Sequence, residues 1–150
     1  YNKKNPTYYR ISDHENDKKF KVKFGKSNYI NNKSNITIVA IGPVLNNICP
    51  LIEKYKLNLI YLTTIRPFDH NTFKKILKKN SSVLIIEPFY SGSINQEINN
   101  LFKNKNLNIK NIFFSFKFLT NYGSKNQHDN KLGFTLKNFE KKIKDLKKFS

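Results

Sequence analysis

The chain reads as a three-layer α/β fold built on a mainly parallel sheet, and three observations predict it. Continuous apolar runs, ITIVAI at 36–41, LNLIYL at 57–62 and SVLIIE at 82–87, have the character of strands buried on both faces. The segments between them carry apolar residues three or four apart, the spacing of a helix that packs one face. Strands that alternate with helices of this length pair in parallel through right-handed crossovers, with helices on both sides of the sheet. A length of 150 residues suits one core, and the hydrophobic content, 38%, is gathered into those runs as in a folded chain.

Each element follows from local pattern. Pro6 to Ile11 is extended, with Tyr8 and Tyr9 as β-formers, and is expected to end a strand of a preceding domain. The polar SDHENDKK is a linker into FKVKFG, where Phe20, Val22 and Phe24 alternate with lysines, which predicts a half-buried strand. Gly25 interrupts it and KSNYI continues it before the turn-rich NNKSN. Ile36 to Ile41 is a buried strand that ends at Gly42 and Pro43, where the chain turns into a helix. That helix spans Val44 to Tyr55, with Leu45, Ile48, Leu51, Ile52 and Tyr55 inward and Pro50 expected to kink it or shorten its start.

LNLIYL is the next buried strand, and Pro67 ends the extended TTIRP that follows it. Asp69 is placed to cap a helix whose inner face is Phe73, Ile76 and Leu77. The unit then repeats: SVLIIEP as a strand, YSGS as a turn, and Ile94, Ile98, Leu101 and Phe102 as a helix face. A strand over Ile109 to Phe116 and a long polar loop from Thr120 to Lys131 precede the last helix. In it Leu136, Phe139, Ile143 and Leu146 face inward and the lysines from Lys137 onward face out.

A net charge of +18 raises the possibility of a nucleic-acid partner. The residue types argue against it, because only Arg10 and Arg66 of the 28 basic residues are arginine, the residue of bidentate phosphate and base recognition. Lysines and asparagines are spread along the whole chain, so a solvated basic surface is the simpler reading, with no specific nucleic acid and no membrane as partner. No apolar stretch approaches the length of a membrane span. A single cysteine, Cys49, cannot form an internal disulfide and sits in an apolar helical stretch, which points to buried filler and a reducing, cytoplasmic compartment. The chain opens on Tyr1 rather than Met and is expected to be the end of a longer polypeptide or a cut domain.

Ligands of open parallel sheets sit beyond the carboxyl ends of the strands. Those ends carry Gly42, the TTIRPFDH segment, Glu87 with Pro88, and Phe116. IGPVLNN has one glycine and a proline where a dinucleotide site needs G-x-G-x-x-G, so a nucleotide site is not expected there. His14, His70 and His128 stand in separate polar segments without ligand spacing, which argues for surface histidines over a metal site. Ser91 and Ser93 beside Gly92 read as a turn and helix cap, not a nucleophile elbow. Glu87 could serve as a general base, although a carboxylate there more often accepts from a neighbouring helix start. Arg66 and Asp69, three apart around Pro67, read as a structural pair fixing the turn.

Taken in order, PTYYRIS, FGKSNYI with NITIVAIGP, TTIRPFD, VLIIEPFYSGSINQEI and the tail FLTNYGSKNQHDNKLGFTLKNFEKKI resemble the C-terminal domain of the transketolase family of thiamine-diphosphate enzymes. The resemblance covers essentially the whole chain. It implies a five-stranded, mostly parallel sheet with the first strand antiparallel. It also implies that residues 1–19 are the end of a pyrimidine-binding domain plus linker, and 20–150 the C-terminal domain. Thiamine diphosphate and Mg2+ would be held outside this segment, by upstream thiamine- and pyrimidine-binding domains or a separate subunit carrying them. The assembly would be a homodimer or heterotetramer, and the segment seen here would contribute structure more than chemistry, with Gly42, Arg66, Pro67, Asp69, Glu87 and Gly92 as its motif positions.

Two departures bear on substrate. Sugar-phosphate-using members carry an arginine placed to meet the substrate phosphate, and the position that matches it is Asp13, whose like charge would repel a phosphate. Arg10 matches another arginine of several members and His14 adjoins, so Arg10, Asp13 and His14 are the substrate-side candidates. The histidine usual after Glu87 is replaced by Pro88. Both departures favour a divergent or two-chain transketolase-like enzyme. The alternatives are the C-terminal domain of a 2-oxo-acid dehydrogenase β-subunit, whose usually basic docking partner a charge of +18 would repel, and a basic nucleic-acid-binding module.

Overall fold

The computed structural model describes residues 15–78, 81–90, 92, 94–103, 106–114, 120 and 122–148. Within them the order is β1 (Asn28–Ile30), β2 (Ile36–Ile41), α1 (Leu45–Tyr55), β3 (Asn58–Leu62), α2 (His70–Ile76), β4 (Ser82–Tyr90), α3 (Asn95–Leu101), β5 (Asn108–Phe114), α4 (Lys125–Leu132) and α5 (Leu136–Lys147). The five strands form one sheet in the order β1-β3-β2-β4-β5. β1 runs antiparallel to β3, and every other pair is parallel. The architecture is therefore the three-layer α/β/α fold with a five-stranded, mostly parallel sheet and one antiparallel strand.

All six residues of β2 are buried because it is the central strand and is covered on both faces. Its side chains alternate between two cores: Ile36, Ile38 and Ala40 join α1 and α5, whereas Val39 and Ile41 join α2 and α3. On the first face Phe139, Ile143 and Leu146 of α5 pack with Leu45, Ile48, Leu51 and Ile52 of α1. Glu140 ties the two helices from outside, accepting from Tyr55 Oη at 2.5 Å and Lys54 Nζ at 2.9 Å. On the second face Phe73 and Ile76 of α2 meet Ile98 of α3.

The amino end of the parallel strands is closed by Asn58, at 1% exposure the start of β3. Its Oδ1 accepts from the amides of Asn32 and Ser34, at 2.9 and 3.2 Å, and its Nδ2 donates to Ser34 O at 2.7 Å and Thr37 Oγ1 at 3.3 Å. The loop between β1 and β2 is thereby stitched to β3, and the buried amide is satisfied on both sides.

Several elements differ from the sequence expectation. FKVKFG is not a strand. Residues 15–27 run as a strap in which Phe20 packs against the α1/α5 core and rests on Tyr61, with ring centroids 5.6 Å apart, while Val22 and Phe24 point to solvent. Tethers at both ends divert this segment from the sheet, leaving only Asn28–Ile30 to pair. The stretch expected as a loop from Thr120 to Lys131 contains α4. That helix has almost no apolar face and is set by a capping box in which Ser124 and Gln127 satisfy each other's backbone amides. Leu136, expected inward, is exposed on the first turn of α5.

Pro50 stands inside α1 without dividing it, at the expense of one intrahelical hydrogen bond. β4 runs on through the predicted turn residue Tyr90, with a register shift between Ile86 and Tyr90. Pro88 lies within that shift, where a residue without an amide hydrogen is tolerated. The last residues of the strand expected to reach Phe116, and the extended segment around Tyr8 and Tyr9, lie outside the described residues.

Candidate functional site

α1 follows β2 onto one face of the sheet and α3 follows β4 onto the other, so the carboxyl ends of these adjacent strands form the switch point where ligands of such sheets sit. Gly42 makes the exit from β2. Its φ of +67° is what demands glycine, since an added Cβ would stand at an ordinary 3.8 Å from Pro88 Cγ across the switch point. Its amide donates to Leu62 O at 3.3 Å, which holds the turn against β3. Glu87, beside Pro88, is buried. Gly92, beyond the end of β4, has φ of +102° and open space around the Cα.

A charged cluster occupies the same edge on the α2/α3 side. Asp69 caps α2, accepting from Thr72 N at 3.4 Å and Thr72 Oγ1 at 2.7 Å, as its residue type predicts. The same carboxylate accepts from Ser27 N at 2.8 Å and stands 3.7 Å from Lys26 Nζ, so the cap also anchors the strap. Burial alone would push this carboxyl up. The Ser27 and Thr72 hydrogen bonds, with the Lys26 charge, outweigh it and hold the group below its ordinary value.

Arg66 does not pair with Asp69, as the sequence suggested, because the cap already commits that carboxylate. The guanidinium bonds Glu97 in the first turn of α3, and His70 Nε2 lies 3.5 Å from the other Glu97 oxygen. The Arg66 hydrogen bond is the main cause, and His70 a lesser one, of a Glu97 carboxyl that sits below its ordinary value. Arg66 precedes Pro67 through a cis peptide bond, and Pro67 in turn abuts Gly25 of the strap. His70 is thus a surface histidine, half-exposed and edge-on to Phe68 at 5.2 Å, with a carboxylate partner.

The structure accordingly brings together Arg66, Pro67 and Asp69 with His70 and Glu97, and places Gly42 and Glu87 at the adjoining switch point. Glu97 escaped the sequence reading; its one signal was an acidic residue in the first turn of a helix. Ser91 and Ser93 lie outside the described residues, and the N-cap position of α3 is Ile94, which has no side-chain cap. Arg10, Asp13 and His14 also lie outside the described residues. Cys49 is half-buried against the α1/α5 core, and burial pushes its thiol up, which suits filler and not a nucleophile.

Among the described residues no group of three or more His, Cys, Asp and Glu is placed to hold a metal ion. Pro43 has no amide hydrogen to offer and the Val44 amide already donates to Gly42 O at 2.9 Å, so the turn at Gly42 does not fit a diphosphate. A separate depression of about 280 Å3 lies between α1, α4 and α5, lined by residues that include Asn47, Asn130 and Thr135. Its carboxylate, Asp129, is engaged by Lys125 within α4.

No family model matches the chain, and neither does any curated protein. Among the described residues no helix is long and apolar enough to cross a membrane.

Proposed function

We propose that the chain is the C-terminal structural and assembly domain of a thiamine-diphosphate-dependent, transketolase-like enzyme that transfers a two-carbon ketol unit between sugars in the cytoplasm. The observation that carries this reading is the five-stranded, mostly parallel sheet whose first strand is antiparallel, as the sequence resemblance implied; the structure adds the order β1-β3-β2-β4-β5. Two of the resembling segments also meet in space: TTIRPFD and the SINQEI stretch are joined through Arg66 and Glu97 at the carboxyl edge. The work of these residues is to position. Asp69 and Gly42 shape the loops that leave β3 and β2, and the Arg66–Glu97–His70 cluster fixes α2 against α3.

On this reading thiamine diphosphate and Mg2+ belong to upstream thiamine- and pyrimidine-binding domains or to a separate subunit, within a homodimer or heterotetramer. The test is turnover by the full-length protein, or by this chain mixed with its genomic neighbour, with and without thiamine diphosphate and magnesium. The donors are ketose phosphates, free ketoses and 2-oxo acids. Cofactor-dependent ketol transfer is the expected result. Turnover of 2-oxo acids alone selects the dehydrogenase β-subunit instead, and a gene locus with no thiamine-binding region on this chain or a neighbour would sink both.

A further inference from the structure

Against the composition-based expectation of no membrane partner, we propose that the strap is a contact site for an anionic lipid surface, with Phe24 as the side chain that enters the interface. Phe24 is 79% exposed and Val22 60%, on a segment whose conformation is fixed at both ends. Toward its start Asp17 N donates to Asn46 Oδ1 at 2.8 Å, and Phe20 is seated on the core. At its far end Lys26 N donates to Lys23 O at 3.0 Å, closing a β-turn with Phe24 and Gly25 at the tip, and Ser27 N is held by Asp69. Gly25 has φ of +69°, and a Cβ there would meet Pro67 Cγ at 3.0 Å, so the turn abuts the loop between β3 and α2. The aromatic ring is therefore presented outward by a braced tip.

The surroundings of the tip decide what it fits. Lys19, Lys21, Lys23 and Lys26 are exposed along the same strap, and the strap's acidic residues, Glu15 and Asp17, stand at the opposite end beside α1. Next to it Lys75 lies over the half-exposed Tyr29 ring at 4.7 Å, extending the mixture of aromatic and cation onto α2. A purely polyanionic partner would use the lysines and leave Val22 and Phe24 in water. A bilayer rich in anionic headgroups offers negative charge at its surface and an apolar layer a few ångströms below, which complements both parts. Lysine suits that partner, because headgroup attraction needs a point charge and not the bidentate fork of arginine.

The experiment is co-sedimentation of the full chain with phosphatidylcholine vesicles, with and without about 30% phosphatidylserine, at about 0.15 M salt. Binding is expected only to the anionic vesicles. Joint Val22→Ser and Phe24→Ser substitution, at exposed positions that leave the core intact, should weaken it by about tenfold or more. Joint Lys21→Gln and Lys23→Gln substitution should weaken it by about thirtyfold. The chain has no tryptophan, so Phe24→Trp gives a single reporter whose emission should shift to the blue when anionic vesicles are added. Failure of the unmodified chain to bind overturns the proposal, as does binding indifferent to Val22 and Phe24. If a single-stranded oligonucleotide binds tightly through Phe24 and the vesicles do not, the strap is a base-stacking surface and the lipid proposal fails.

Discussion

At the amino end of the parallel strands Asn58 is enclosed and all its hydrogen bonds go to neutral groups. At the carboxyl end Asp69, Arg66 and Glu97 hold the loops with charge, with His70 beside Glu97, and three of these four side chains are partly open to water. A buried neutral amide contributes through what would be left unsatisfied without it. Exposed charges contribute little in water, are screened by salt, and respond to pH. The amino end is thus built for permanence and the carboxyl end for adjustable positioning, which is the division expected where a ligand or partner meets the strand ends.

The sharpest way to break this contrast is at Asn58. Asn58→Ala leaves the amides of Asn32 and Ser34 without their acceptor and should cost about 2–3 kcal/mol in urea unfolding. A loss below about 1 kcal/mol would erase the distinction between the two ends. Asp69→Ala comes next, at about 1–2 kcal/mol, because it removes the cap of α2 together with the tether of the strap. Limited proteolysis should then cut near Lys21 and Lys23 well before the rest of the chain opens. Equal protection in the variant would mean that the strap is held elsewhere.

The third test uses acid. Asp69 and Glu97 are held below their ordinary values, so their contribution to stability is complete above the usual carboxylate range and is lost as the pH falls through their lower folded values. Glu140 is lowered further, from 4.5 to about 2, by the Tyr55 and Lys54 hydrogen bonds, and follows the same sign. Melting temperature should therefore fall below about pH 4.5, and Glu97→Gln should shallow that fall, whereas Asn58→Ala should shift the whole curve without changing its slope. The smallest effect is expected from Arg66→Ala. The pair is exposed, so the loss in urea unfolding should be the smallest of the series and shrink further at high salt.

How far the sequence could be read follows from range. The strands at 36–41 and 58–62, and β4 as far as Pro88, were legible because a run of apolar residues states its own burial, and Asp69 was legible as a cap because its partner is three residues away. The period-two pattern of FKVKFG was real yet produced no strand, since Asn46 and Asp69, remote in sequence, hold its ends off the sheet. α4 was missed for lack of an apolar stripe, although Ser124 with Gln127 three residues on was a readable start signal. The assignment of Arg66 to Asp69 failed because its true partner, Glu97, is 31 residues away, a distance over which side-chain type carries no information about contact.

The sequence by itself determined the α/β class, the elements that alternate along the chain, the faces they bury and the loops that stand at the strand ends, because these depend on periodicity and on residues within one turn of each other. Only the tertiary structure decided which charges meet, that the strap lies across the carboxyl edge with Phe24 outward, and that Gly42 faces Pro88 at the switch point. Those outcomes depend on contacts between segments brought together by the sheet order. That order is set by the packing of whole faces, with no single residue pair dictating it.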